Sequence, residues 1–229
     1  MAGIHGANDI VTDGLVIYLD AANPRSYPGT GSTWYNLSKK LGDATIVGSL
    51  PFTGSSFVPS SNSTYASINY TSSLADFSYG QTICAWIKPL SGATPARRNF
   101  YNQAFGGPGT ITQESNYSFN YYFGTAGSNT TPYTQRSSNF TVLPNELAFV
   151  CVTRDQILNQ VGWYKNGVRI SVYSSSYTTT ANGTSAILIG VGYTSYFAGD
   201  IYNCMVYTRG LTEAEVAQNY NALRKRFGV

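Results

Sequence analysis

Nineteen tyrosines, eleven phenylalanines and three tryptophans stand against eleven acidic residues and a single histidine in this chain of 229 residues. That balance favours recognition over proton transfer. Ring faces stack on the C–H faces of sugars, and asparagine or aspartate beside them takes the hydroxyls. The loop aromatics placed for such work are Tyr27, Trp34, Tyr35, Phe100, Tyr101, Tyr133, Tyr193 and Tyr196. The same residue types build the cores of protein–protein contacts, and tyrosine is also ordinary packing material in strands. Glycan and protein partner both stay open on this ground.

Catalysis has few residues to work with. Glycoside cleavage needs two carboxyls about 5–9.5 Å apart, yet the closest acidic pair, Glu213 and Glu215, reads as the first turn of a helix. His5 precedes the first strand, so a Ser–His–Asp triad has no well-placed base. The same scarcity argues against a His/Cys metal site. The expectation is a protein that is not an enzyme and needs no cofactor.

Charge and cysteine narrow the partners further. Fourteen basic residues against eleven acidic give +3, and residues 209–226 alone carry +2, from Arg209, Arg224, Lys225 and Arg226 against Glu213 and Glu215. The remainder is nearly neutral and lacks the basic stripe that phosphate neutralisation requires, so nucleic acid is not expected. No apolar run approaches the roughly 20 residues of a membrane helix. The residues after Met1 show neither a basic nor an apolar signal region, and synthesis in a reducing cytoplasm is expected. Cys84, Cys151 and Cys204 form no CxxC and lie in hydrophobic runs, which predicts three buried thiols.

The elements that must position the aromatics are mostly strands. Short alternating segments recur between Gly, Ser, Asn and Pro clusters, the pattern of an antiparallel β-sandwich. Strands are predicted at Gly14–Leu19, Thr82–Lys88, Leu147–Val152, Ala186–Val191 and Ile201–Tyr207. Another covers Tyr117–Phe123, with Tyr117, Phe119, Tyr121 and Phe123 on one face. Asn166-Gly167 predicts a two-residue hairpin turn that pairs Lys165 with Val168, Trp163 with Ile170 and Val161 with Val172. One helix is predicted over 212–226: Thr212 and Glu215 form a capping box, and Val216, Tyr220, Leu223 and Phe227 make one apolar stripe. Apart from that Tyr117–Phe123 strand, residues 91–146 are the least readable stretch, with loops rich in Gly, Asn, Thr and Tyr.

Taken in order, several segments resemble the concanavalin A-like jelly roll of the laminin G type, as found in virion proteins of tailed phages. They are Gly14-Leu-Val-Ile-Tyr-Leu-Asp-Ala-Ala-Asn-Pro24 with Ser26-Tyr27, Trp34-Tyr-Asn-Leu-Ser38, Thr82–Lys88, Trp163-Tyr-Lys-Asn-Gly167, Phe197-Ala-Gly-Asp-Ile201 and Tyr207–Glu215. Lys39–Asp43 departs from the Gly/Asn-rich loop common at that point, so no ligand role carries over there. The resemblance implies a single sandwich domain over 14–229, all-β apart from its C-terminal helix. It also implies a virion structural protein that decorates or cements a capsid. Partners would be the major capsid protein or tail and neck proteins, together with further copies of the chain, a trimer being one arrangement. The alternative it implies is a carbohydrate-binding module of a tail or fibre. Glycosidases of this fold share a Glu-x-Asp-x-Glu strand that is absent here. Related domains often bind calcium through loop aspartates; Asp20 and Asp200 lie in the matching segments, while Asp43, Asp76 and Asp155 are scattered.

Residues 1–13 precede the first predicted strand. Gly3 and Gly6 loosen this segment, and Ile4, Ile10 and Val11 suit an extended arm anchored on a neighbouring surface. The alternative is an arm folded back on its own domain.

Overall fold

Residues 9–91 and 96–229 are described by the computed structural model of the chain. In it Asn166 and Gly167 take φ of 51° and 80°, the left-handed pair that a tight hairpin demands. They join β11 (Gln160–Lys165) to β12 (Val168–Tyr173). Lys165 faces Val168 as expected, but a bulge then shifts the register, so that Trp163 faces Ser171 and Val161 faces Tyr173. The expected pairing with Ile170 and Val172 is corrected accordingly, and both side chains are exposed. The cause lies at the sandwich edge. Trp163 is fully buried and donates its indole N–H to the Arg136 carbonyl, while small Ser171 opposite donates to the Ser138 carbonyl.

The remaining strands are β1 (Leu15–Asp20), β2 (Thr33–Trp34), β3 (Ala44–Val47), β4 (Tyr65–Ile68), β5 (Gly80–Pro89), β6 (Arg98–Ala104) and β7 (Gly109–Gln113). They continue with β8 (Ser118–Gly124), β9 (Tyr133–Thr141), β10 (Ala148–Asp155), β13 (Ile187–Ile189) and β14 (Gly199–Tyr207). One sheet runs β1-β14-β5-β10-β11-β12, the other β2-β3-β4-β13-β6-β7-β8-β9, and the paired strands are antiparallel. This is the predicted two-sheet sandwich. Side-chain alternation divides each central strand between two layers. Ile83, Ala85, Ile87, Val150 and Val152 fill the space between the sheets. Cys84, Trp86, Phe149 and Cys151 face the other way, into a second apolar layer.

Helix α1 (Glu213–Arg224) covers that second layer. Thr212 and Glu215 form the expected capping box, and Gly228 closes the end with φ 72°. Val216 is fully buried; Tyr220, Leu223 and Phe227 are partly buried, with Trp86 stacked 5.6 Å from Tyr220 and 4.4 Å from Phe227. The hairpin turn abuts the same helix, since a Cβ on Gly167 would lie 3.0 Å from Tyr220 Cβ.

Three further expectations are corrected here. Cys84 and Cys151 stand opposite each other across β5 and β10 and form a disulfide, leaving Cys204 as the free, buried thiol among the described residues. Ile10 and Val11 belong to the domain's own second layer rather than to a docking arm. Val11 donates its N–H to Asn219 Oδ1 at 2.8 Å and accepts the Tyr207 hydroxyl at 3.0 Å. Ile4 lies outside the described residues. Tyr117 is not in the strand: it takes φ 65° ahead of β8, so the inward aromatic face is Phe119, Tyr121 and Phe123.

Candidate binding site

Because Phe119, Tyr121 and Phe123 point inward, Asn120 and Tyr122 must point out from β8. Thr112 on β7 lies directly opposite Asn120, and Gln135 on β9 directly opposite Tyr122. Arg97 immediately precedes β6, Phe105 immediately follows it, Tyr133 opens β9, and Tyr193 comes from the loop after β13. Arg97, Phe105, Tyr122, Tyr133, Gln135 and Tyr193 together line a cavity of about 220 Å³ on this outer face.

The rings form one cluster. Phe105 meets Tyr133 edge-on at 5.1 Å and Tyr193 at 4.9 Å, while Tyr122 lies 6.0 Å from Tyr133 and 6.2 Å from Tyr193. Arg97 is pinned among them. Its Nε donates to Glu114 Oε2 at 2.9 Å, and its Nη2 donates to the Tyr122 hydroxyl at 2.8 Å and the Tyr193 hydroxyl at 2.9 Å. The guanidinium also sits 5.7 Å from the centroid of each of those two rings, within cation–π range. Glu114 Oε1 accepts from Asn120 Nδ2 at 2.9 Å and from the Tyr122 hydroxyl at 3.3 Å. Burial first, then the neighbouring Glu114 carboxylate, pushes the Tyr122 hydroxyl far above its ordinary range, so it stays a proton donor. Burial works against the charge on Arg97, but Tyr193, Glu114 and Tyr122 outweigh it and the net shift is upward.

Of the aromatics singled out in the sequence, the structure brings Tyr133 and Tyr193 into this cluster. Tyr35, 40% exposed, and half-buried Tyr196 stand apart from it, beside Lys39 and Arg98 respectively. Tyr27, Trp34, Phe100 and Tyr101 are corrected: all four are buried core residues. Trp34 is not in a loop but in β2, packed 4.6 Å from Phe57, and Tyr27 meets Phe52 and Phe57 at 4.8 Å. Tyr101 lies within β6 and accepts a hydrogen bond from Gln81 inside the sandwich. Sequence reasoning missed Arg97, Phe105, Glu114, Tyr122 and Gln135. Strand alternation would have found Tyr122, the one aromatic between Tyr121 and Phe123.

The calcium candidates are engaged separately. Arg226 Nη1 donates to buried Asp20 Oδ2 at 2.6 Å, whereas Asp200 pairs with Lys88 at 3.3 Å and accepts from Ser56. Among the described residues, no group of three or more His, Cys, Asp or Glu could hold a metal. A second cavity of about 220 Å³ lies beside the start of α1, lined by Thr153, Gly162, Tyr164, Arg169 and Glu213 among others. Its one ring, Tyr164, is buried, so it offers no open aromatic face.

An antiparallel two-sheet sandwich with one C-terminal helix is the jelly-roll architecture of the concanavalin A-like folds. The chain belongs to the concanavalin A-like lectin/glucanases superfamily, whose laminin G subgroup matches residues 60–217. Comparison with curated protein sequences finds no match. Solved structures resemble it in fold. The botulinum neurotoxin serotype D ligand binding domain in complex with N-acetylneuraminic acid is similar with a TM-score of 0.66 and 12% identity, over 92% of this chain and 51% of that one. The receptor binding domain of botulinum neurotoxin C/D mosaic serotype gives 0.63 and 12%, over 92% and 51%. Trypanosoma rangeli sialidase in complex with sialic acid gives 0.63 and 15%, over 92% and 33%. The chain thus spans about half of each toxin domain and a third of the sialidase.

Proposed function

We propose that this chain binds carbohydrate, without turnover, in the cleft between Arg97, Phe105, Tyr122, Tyr133 and Tyr193. The observation that carries the reading is the fixed guanidinium, held by two tyrosine hydroxyls and a carboxylate beneath partly open rings. Such a site needs little reordering on binding, which lowers the entropic cost. The superfamily's lectins and the sugar complexes of the toxin domain and the sialidase support the same ligand class. Both oxygens of Glu114 already accept hydrogen bonds, which suits a structural acceptor better than an acid–base catalyst. A glycan array followed by calorimetry tests this. Tyr193→Ala and Tyr133→Ala should each weaken the best ligand about tenfold, the equivalent of about 1.4 kcal/mol; unchanged affinity in both would place binding elsewhere.

A virion structural role is the second reading, supported by the resemblance in sequence and by one surface. Leu158 and Val172 rim the cavity beside α1, and Val168 and Ile170 continue along β12; all four are exposed. An apolar strand edge of this kind suits contact between copies or with a capsid protein. We propose a homo-oligomer there, assembled in the host cytoplasm. Sedimentation of the purified chain and its recovery with intact particles test this reading, and a monomer absent from particles would end it.

A further inference from the structure

Resting on the carbohydrate reading, we infer that the cleft selects neutral sugars that present adjacent hydroxyls and discriminates against carboxylated ones such as sialic acids. The argument begins with the five N–H groups of Arg97. Nε uses its proton on Glu114, and Nη2 uses both of its protons on Tyr122 and Tyr193. A carboxylate is gripped best by two parallel N–H bonds from the guanidinium fork. Both forks of Arg97 include Nη2, so neither can be offered without breaking a bond to a tyrosine. Nη1 remains, and among the described residues it has no partner.

Charge points the same way. Glu114 is ion-paired to Arg97 at 2.9 Å, and apart from Arg97 the residues lining the cavity are neutral. The pair sums to zero, and an incoming carboxylate would also meet the Glu114 carboxylate across the same guanidinium. What the cavity does offer is suited to hydroxyls. The Tyr133 hydroxyl and the Gln135 side-chain amide, two positions apart on β9 and so on one face, have no hydrogen-bond partner among the described residues. Both groups donate and accept, as sugar hydroxyls do, and Nη1 adds donors beside them. Phe105 and Tyr193 supply ring surface for the C–H face of the same sugar.

The test uses the whole chain on an array carrying matched neutral and sialylated glycans, with calorimetry on the best ligands. Neutral glycans should bind at least about tenfold more tightly, with affinity varying less than about twofold between low and high salt, since no net charge is neutralised. Glu114→Gln leaves Arg97 without its carboxylate and should shift the neutral-to-acidic ratio toward acidic glycans by about tenfold or more. The salt series on the unaltered chain stands even if that variant fails to fold. Preference for sialylated glycans, lost in Arg97→Ala, would overturn this inference while leaving carbohydrate binding in place. Absence of any glycan binding, or binding indifferent to Tyr193→Ala and Tyr133→Ala, would overturn both.

Discussion

Arg154 Nε donates to the Tyr121 hydroxyl at 3.1 Å, in the closed space between the two sheets. Arg154 comes from β10 of one sheet and Tyr121 from β8 of the other, so the bond spans the sandwich. Nη2 of the same guanidinium donates to the carbonyls of Phe77 at 2.8 Å and Pro108 at 3.3 Å, and the Phe123 ring lies 5.4 Å away. The charge is thus dispersed over carbonyls, a hydroxyl and a ring face. Arg154→Ala would strand those carbonyls and open a cavity, and should cost above about 3 kcal/mol. Tyr121→Phe removes one shared hydroxyl and should cost about 1–2 kcal/mol. Urea midpoints at unchanged m report both.

The start of α1 makes stability sensitive to acid. Hydrogen bonds from Arg209, reinforced by Thr212, hold the Glu215 carboxyl down at about 2 against an ordinary 4.5, with burial opposing them. A lowered folded-state value stabilises the fold above the unfolded value, and that contribution is lost as pH falls from 4.5 toward 2. Glu215→Gln should therefore melt lower than the unaltered chain near neutral pH. The gap should close across that window, as thermal melts at stepped pH would register.

Thiol titration separates the three cysteines. Cys204 is fully buried, and burial pushes its thiol up to about 12, so the folded chain should not react with a disulfide reagent at neutral pH. Unfolding without reductant should release one thiol, and unfolding with reductant three. Three thiols without reductant would show Cys84 and Cys151 unpaired.

Gly167 serves both the hairpin and the helix. An alanine there would hold an unfavourable φ of 80° and press its Cβ to 3.0 Å from Tyr220. Gly167→Ala should cost more than about 1 kcal/mol. In the Tyr220→Ala background the share due to the ring should vanish, leaving the Cβ contact and the backbone share, which a double-mutant cycle by chemical denaturation resolves.

The elements read most clearly from sequence were those whose signals are local. The Asn166-Gly167 turn, the Thr212–Glu215 box and the apolar strand at Leu147–Val152 each depend on neighbours in the chain. The hairpin bulge was not legible, because it answers to Trp163 seating against β9, a contact across the sandwich edge. Nor was the fate of Trp34 and Tyr27, whose burial depends on Phe57, far along the chain. The cleft was half legible. Tyr133 and Tyr193 stood out as loop rings, but Arg97, Glu114 and Tyr122 sit in the 91–146 stretch, where short strands alternate without a clean apolar period. Their significance lies in hydrogen bonds that join the start of β6, the end of β7, β8 and the loop after β13, which no spacing encodes.

The alternation of β8 bears on how such a protein could be retargeted. Tyr121 and Phe123 anchor the interior while Tyr122, between them, holds the arginine of the cleft. Grafting residues 118–124 onto a cousin would transplant part of its interior as well, and the host would have to repack around it. Tyr133 and Tyr193 sit outside that constraint, one at a strand entrance and one in a loop. Substitution at Tyr133 would leave the sheet interior untouched and substitution at Tyr193 would release one bond to Arg97, while position 122 stays tied to the scaffold.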